Sequence, residues 1–121
     1  MKRRVVLLAA CCLLALLSDV VRGDARTWTG VISDSMCGAS HAAMRAHGEK
    51  VTDRECTVAC VSYQTPDAPK YVFVSEGRIY PIANQRFAGL GRRAGDPIVL
   101  TGDIDGGGVI TITKIEAAPK R

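Results

Sequence analysis

Five short runs rich in β-branched and aromatic residues, punctuated by glycine-bearing turns, limit what this chain can fold into. Residues 28–33 alternate as a strand, with Trp28 and Ile32 on one face and Val31 on the other. Residues 70–74 form a second strand, in which Tyr71 and Phe73 oppose Val72 and Val74. Ser75-Glu76-Gly77 carries hairpin-turn chemistry, and residues 78–83 return as a third strand in which Pro81 marks an edge or a bulge. Asn84 is placed to cap a short helix bearing Phe87 and Leu90, which the glycine-broken stretch 91–95 ends. Residues 97–104 and 109–115 make a second hairpin across Asp105-Gly106-Gly107-Gly108.

That order predicts a mainly β fold: a small five-stranded barrel like the oligonucleotide/oligosaccharide-binding (OB) type. Such a barrel carries its helix between the third and fourth strands, as this chain does. Closure would also remove the edges that five short strands expose. The alternative is an open five-stranded sheet with the long insert, residues 34–69, packed across one face.

At 121 residues the chain has room for one domain. A hydrophobic content of 47% with 23% charged residues is that of a folded globular chain, not a disordered one. The first 25 residues read as a signal peptide. Lys2, Arg3 and Arg4 precede an uncharged, mostly apolar run over residues 5–17, too short for the roughly 20 residues of a spanning helix. Small residues at Gly23 and Ala25 place the cut after Ala25 and a single domain at 26–121. Leu8-Ala9-Ala10-Cys11 offers a rival, lipidation at Cys11, but Cys12 to Leu17 continue the apolar run past it. An uncleaved anchor is a third possibility. The expected location is therefore the periplasm or the exterior, with no membrane span after cleavage. The mature chain keeps 12 basic and 10 acidic side chains. The basic doublet Arg92-Arg93 reads as a solvated helix end, so nucleic acid is not an expected partner.

The chemistry, if there is any, lies in the insert. It holds all three mature cysteines (Cys37, Cys56, Cys60), both histidines (His41, His47) and both mature methionines (Met36, Met44). Structureless loops that long are uncommon in compact domains and are often functional. Residues 39–47 make a plausible short helix with Ser40 near its start; helical from the cysteine onward, Cys37, His41 and Met44 share a face. Asp53 or Thr52 is suited to cap a second helix over residues 54–63, in which Cys56 and Cys60 stand one turn apart.

Three readings compete. A disulfide would staple a small exported domain, joining Cys37 to Cys60 or Cys56, because i, i+4 cysteines on a helix rarely reach bonding geometry. One thiol is left over in that case. A metal site would use Cys37, His41, Cys56 and Cys60 for zinc, or thiolate, thioether and imidazole for Cu(I), although C-x3-H…C-x3-C is not a zinc-ribbon spacing. Thiol catalysis would need a cysteine activated by His41 or His47, and no protease signature or general acid accompanies it. Plainer roles also exist: exposed histidines, Met36 and Met44 as core fill, Asp34 as a turn or helix cap, and Tyr71 and Tyr80 as packing.

Residues 30–38 (Gly-Val-Ile-Ser-Asp-Ser-Met-Cys-Gly), His41, residues 55–61 around Cys56 and Cys60, residues 70–74, residues 80–85 and residues 99–103 together resemble a family of small exported bacterial proteins built on a domain of unknown function. The resemblance covers nearly all of the mature chain. It implies a bacterial exported domain built around D-S-x-C-G-x-x-H and C-x-x-x-C, and it implies no activity. The function expected is a non-enzymatic binding or structural module for a small ligand or exported protein partner, its insert held by a disulfide. The alternative is a zinc- or copper-binding protein, and a thiol-redox protein is third.

Overall fold

The computed structural model describes residues 25–46, 48 and 50–121. The proposed signal segment with Cys11, and His47, lie outside the described residues. Strand β1 (Arg26–Asp34) leads into helices α1 (Ala42–Ala46) and α2 (Asp53–Val61). Strands β2 (Tyr71–Ser75) and β3 (Arg78–Pro81), helix α3 (Leu90–Arg93), and strands β4 (Pro97–Ile104) and β5 (Ile110–Ala117) follow. All five strands join one antiparallel sheet in the order β3-β2-β1-β4-β5. The β2–β3 hairpin closes on the Ser75–Arg78 pair through Glu76 (φ 50°) and Gly77 (φ 75°). Two successive positive φ values make the turn twist with its strands, which is why glycine stands there.

The apolar alternation on β1 sets the core. Ile32, Phe73, Leu90, Ala94, Ile98, Leu100, Ile110 and Ile112 are buried on one face of the sheet, with Trp28 and Tyr80 packed against them. Gly30 makes room for this: a Cβ there would stand 2.2 Å from the Val74 carbonyl oxygen and 2.7 Å from the Phe73 ring. The other face is covered at β1 by the start of the insert. The Ser33 hydroxyl donates to the Gly38 carbonyl at 2.7 Å, and Gly38 (φ 60°) lies against Ile79 of β3.

The five strands and the helix between β3 and β4 are as expected, but the sheet is not closed into a barrel. Among the described residues, the chain past β3 is linked to β5 by one parallel bridge, Ile82 to Ile110, and by hydrogen bonds beside it. Asn84 supplies two of these, donating to the Ile112 carbonyl and accepting from its N–H. That engagement explains a second departure. Asn84 does not cap a helix, so α3 begins only at Leu90, includes Gly91, and follows Gly89 in a left-handed conformation. Among the described residues no helix is long and apolar enough to cross a membrane.

Gly30→Ala should cost about 3 kcal/mol, at the upper end for overpacking, because its Cβ meets backbone that cannot yield. Gly106→Ala, with nothing within 4 Å of its Cβ, should leave stability unchanged. Urea-denaturation midpoints of the two variants check this.

Candidate metal centre

Asp34 ends β1 on the same face as Trp28, Gly30 and Ile32, so its carboxylate follows the core row and is fully buried. One oxygen, Oδ1, accepts the backbone N–H of Met36 at 3.0 Å and of Cys37 at 2.9 Å, while the Asp34 carbonyl accepts from Gly38 N at 2.8 Å. The chain is thereby turned back on itself. Cys37 therefore sits in a turn over residues 35–39, not on a helix, and α1 starts only at Ala42, where the Ser40 hydroxyl accepts the Ala42 N–H.

The other oxygen, Oδ2, faces the two helices. It lies 3.2 Å from His41 Nε2 and accepts the Thr57 hydroxyl at 3.2 Å, and Thr57 Oγ1 is itself 3.2 Å from His41 Nε2. Three polar atoms thus face one another in a buried triangle. The remote nitrogen of His41, Nδ1, lies 3.7 Å from Asp53 Oδ1, a carboxylate that also takes a 2.6 Å hydrogen bond from Arg45. Asp53 and Thr57 stand at i and i+4 on α2, and together they bracket the imidazole.

Helix α2 has strong local reasons to form there. Thr52 is its N-cap, with a capping box: the Thr52 hydroxyl accepts the Glu55 N–H, and the Glu55 carboxylate accepts the Thr52 N–H. Arg54 pairs with Asp96 at 2.6 Å and fixes the helix against the loop before β4. With the helix so placed, Cys56 is buried and its Sγ lies 3.8 Å from Cys37 Sγ. One donor atom each from Asp34, Cys37, His41 and Cys56 all fall within 4.8 Å of one another.

Of the four residues expected to form a metal shell, Cys37, His41 and Cys56 come together. Cys60, one turn further along α2 than Cys56 and half-buried, stands outside that group. Asp34 takes the fourth position. Its turn-capping role was foreseen; its second oxygen was not, and neither was Thr57. A signal existed for Asp34, since it continues the period-2 row of Trp28, Gly30 and Ile32 into the core. Nothing in the sequence marks Thr57 apart from its place four residues after Asp53. Met36 is 68% exposed and fills no core, because the turn throws it outward; Tyr71 and Tyr80 do pack against the core.

The three cysteines are not bonded to one another. Burial, then the Cys56 thiol and the negative charge of Asp34, push the Cys37 thiol up to about 12. Burial and Asp34 push Cys60 up as well. A nucleophilic cysteine needs its pKa lowered by positive surroundings. Here the field has the opposite sign, so the cluster is poorly arranged for thiol catalysis and better arranged for a cation that would replace the protons. Comparison with known protein families, with curated proteins and with solved structures finds no match to this chain.

The raised thiols carry a pH dependence for the reduced, chelator-treated protein. Unfolded, Cys37 releases its proton near 9.0; folded, it holds the proton to about 12. The unfolded state therefore gains from rising pH first, and stability, level below pH 9.0, should fall as pH climbs from 9.0 towards about 12. Tyr71, also raised by burial, adds a fall of the same sign. Cys37→Ser should remove part of the decline, and the difference between wild-type and variant urea midpoints across that range measures it.

Proposed function

We propose that this chain is an exported, non-enzymatic transition-metal-binding module, with one divalent ion of the zinc type held by Asp34, Cys37, His41 and Cys56. The observation that carries the reading is the convergence of a carboxylate, an imidazole and two thiols, one donor atom from each residue within 4.8 Å of the others. A zinc–sulfur bond of about 2.3 Å puts two sulfurs of a tetrahedron about 3.8 Å apart, and Cys37 and Cys56 stand at 3.8 Å. Asp34 would bind through Oδ2, leaving Oδ1 on its turn. His41 would bind through Nε2, with Asp53 facing Nδ1 in the outer position where carboxylates orient and strengthen imidazole ligands.

The disulfide-stapled binding module is the second reading, and the same 3.8 Å approach favours it, since Cys37 and Cys56 form the closest thiol pair. Their bond would close a loop of about 20 residues, worth about 3 kcal/mol in the chain-entropy model, and would leave Cys60 free. That reading assigns no role to His41 and Asp34. The OB-like barrel belongs here too: the strand order, α3 between β3 and β4, and the Ile82–Ile110 bridge support it, and the insert then occupies the first inter-strand loop, which borders the ligand face of such barrels. Residues 1–25 as the export signal and the resemblance to a small exported bacterial family are parts of the same proposal.

Native intact-mass spectrometry of protein exported into an oxidising compartment and purified without chelator separates the two readings. One zinc per chain in place of the protons it displaces, with the chain returning to its full reduced mass once a chelator removes the ion, is the expected spectrum; a metal-free chain that stays two hydrogens light overturns the metal reading. Asp53→Asn should weaken zinc binding about tenfold, within the 10–100-fold range for losing an outer partner, and His41→Ala should weaken it further. Competition against a chelator of known affinity measures both.

A further inference from the structure

The site has two donor sets that share a pair of atoms. Asp34, Cys37, His41 and Cys56 make one, with an oxygen and a nitrogen among the donors. Cys37, Cys56 and Cys60 make the other, entirely of sulfur. Cys56 and Cys60 project from α2 one turn apart, and Cys37 is brought to within 3.8 Å of Cys56 by the Asp34 turn. Three sulfurs around one ion at about 2.3 Å stand about 4 Å apart in trigonal geometry, close to the 3.8 Å of Cys37 and Cys56. The all-sulfur set is also the more open side of the cluster: Cys37 and Cys60 are half-buried, whereas Asp34 and His41 are buried. Met36, next to Cys37 in the chain, is an exposed thioether side chain.

We propose that the cluster also takes a soft monovalent cation, Cu(I), on Cys37, Cys56 and Cys60, and that this ion and the divalent ion exclude each other. The inference rests on the metal reading of the site and names the second ion that it accepts. Thiolates and thioethers select Cu(I), while carboxylate and imidazole favour the borderline divalent ions, so one protein region discriminates by which half of the cluster it uses. Both modes need Cys37 and Cys56, so only one ion binds at a time. Moving from one mode to the other exchanges Asp34 and His41 for Cys60. Asp34 and His41 can then return to each other and to Thr57, the hydrogen-bonded triangle described above.

The test uses the reduced mature chain without oxygen, titrated with Zn(II) and with Cu(I), each against a competing chelator of known affinity. Wild-type protein loaded with one Zn(II) should release it on addition of one equivalent of Cu(I). Cys60→Ser should lower Cu(I) affinity by at least about tenfold and leave Zn(II) affinity within about twofold, because only the soft set loses a donor. Asp34→Asn should do the reverse; if that variant does not fold, Cys60→Ser alone decides. Cu(I) binding that leaves Zn(II) in place, or a Cys60→Ser variant whose two affinities are both unchanged or both reduced, overturns the inference while the zinc site stands. Wild-type protein that takes up neither ion overturns the metal reading with it.

Discussion

The buried carboxylate of Asp34 is the constraint on which the rest of the insert depends. A fully buried carboxylate is tolerated only when its lone pairs are used, and this one has four partners. Two are backbone N–H groups of the turn that follows β1, which reverses the chain and delivers Cys37. The other two, His41 and Thr57, come from the segment before α1 and from α2, so one side chain joins three parts of the insert to the end of a core strand. Removing a partner from such a group costs about 3–5 kcal/mol, because the charge stays behind unpaired. The position of the thiols follows from that arrangement, not from any preference of their own.

The sheet supplies the rigid part of the molecule. Its core row on β1 runs from Trp28 through Ile32, and Asp34 is the next residue of the same row, at the place where β1 passes from the core into the insert. Antiparallel pairing to β2 and β4 holds β1 in the centre of the sheet, and its last residues through Asp34 remain paired with β2. The two helices that complete the cluster are short, five and nine residues, and would be marginal in isolation. They are held by the capping box at Thr52, by the Arg45–Asp53 and Arg54–Asp96 pairs, and by the buried contacts of Cys56 and Thr57. A cluster built this way keeps Asp34 and Cys37 on a rigid strand and its turn, His41 just ahead of α1, and Cys56 on a helix that packs against β1, with Cys60 on that same helix.

Electrostatics separate the chemical readings better than the residue list does. Cysteine and histidine side by side are the ingredients of a thiol nucleophile as much as of a metal shell. The carboxylate among them changes the balance, since the surrounding burial and its negative charge raise the Cys37 and Cys60 thiols. A cation placed among the same atoms would reverse each of those effects, which is the electrostatic ground of the proposed metal reading.

The strands, both hairpins and the presence of a helix between β3 and β4 were legible from residues 28 to 117, because period-2 alternation and positive-φ turn residues are local properties. So was the concentration of Cys37, His41, Cys56 and Cys60 in one segment, and the cap at Thr52. The choice of donors was not. It is the ending of β1 in the core, directly before a glycine-bearing turn, that makes Asp34 a buried partner of His41, and it is the seating of α2 against β1 and α3 that brings Thr57 inward and leaves Cys60 to one side. Asn84 shows the same limit: as a sequence signal it is a helix cap, but β5, folded from residues 26 positions away and more, claims its amide. Alternation, capping and turn chemistry act over a few residues and can be read along the chain; which side chain finishes a buried site depends on where distant elements meet, and only the tertiary structure decides that.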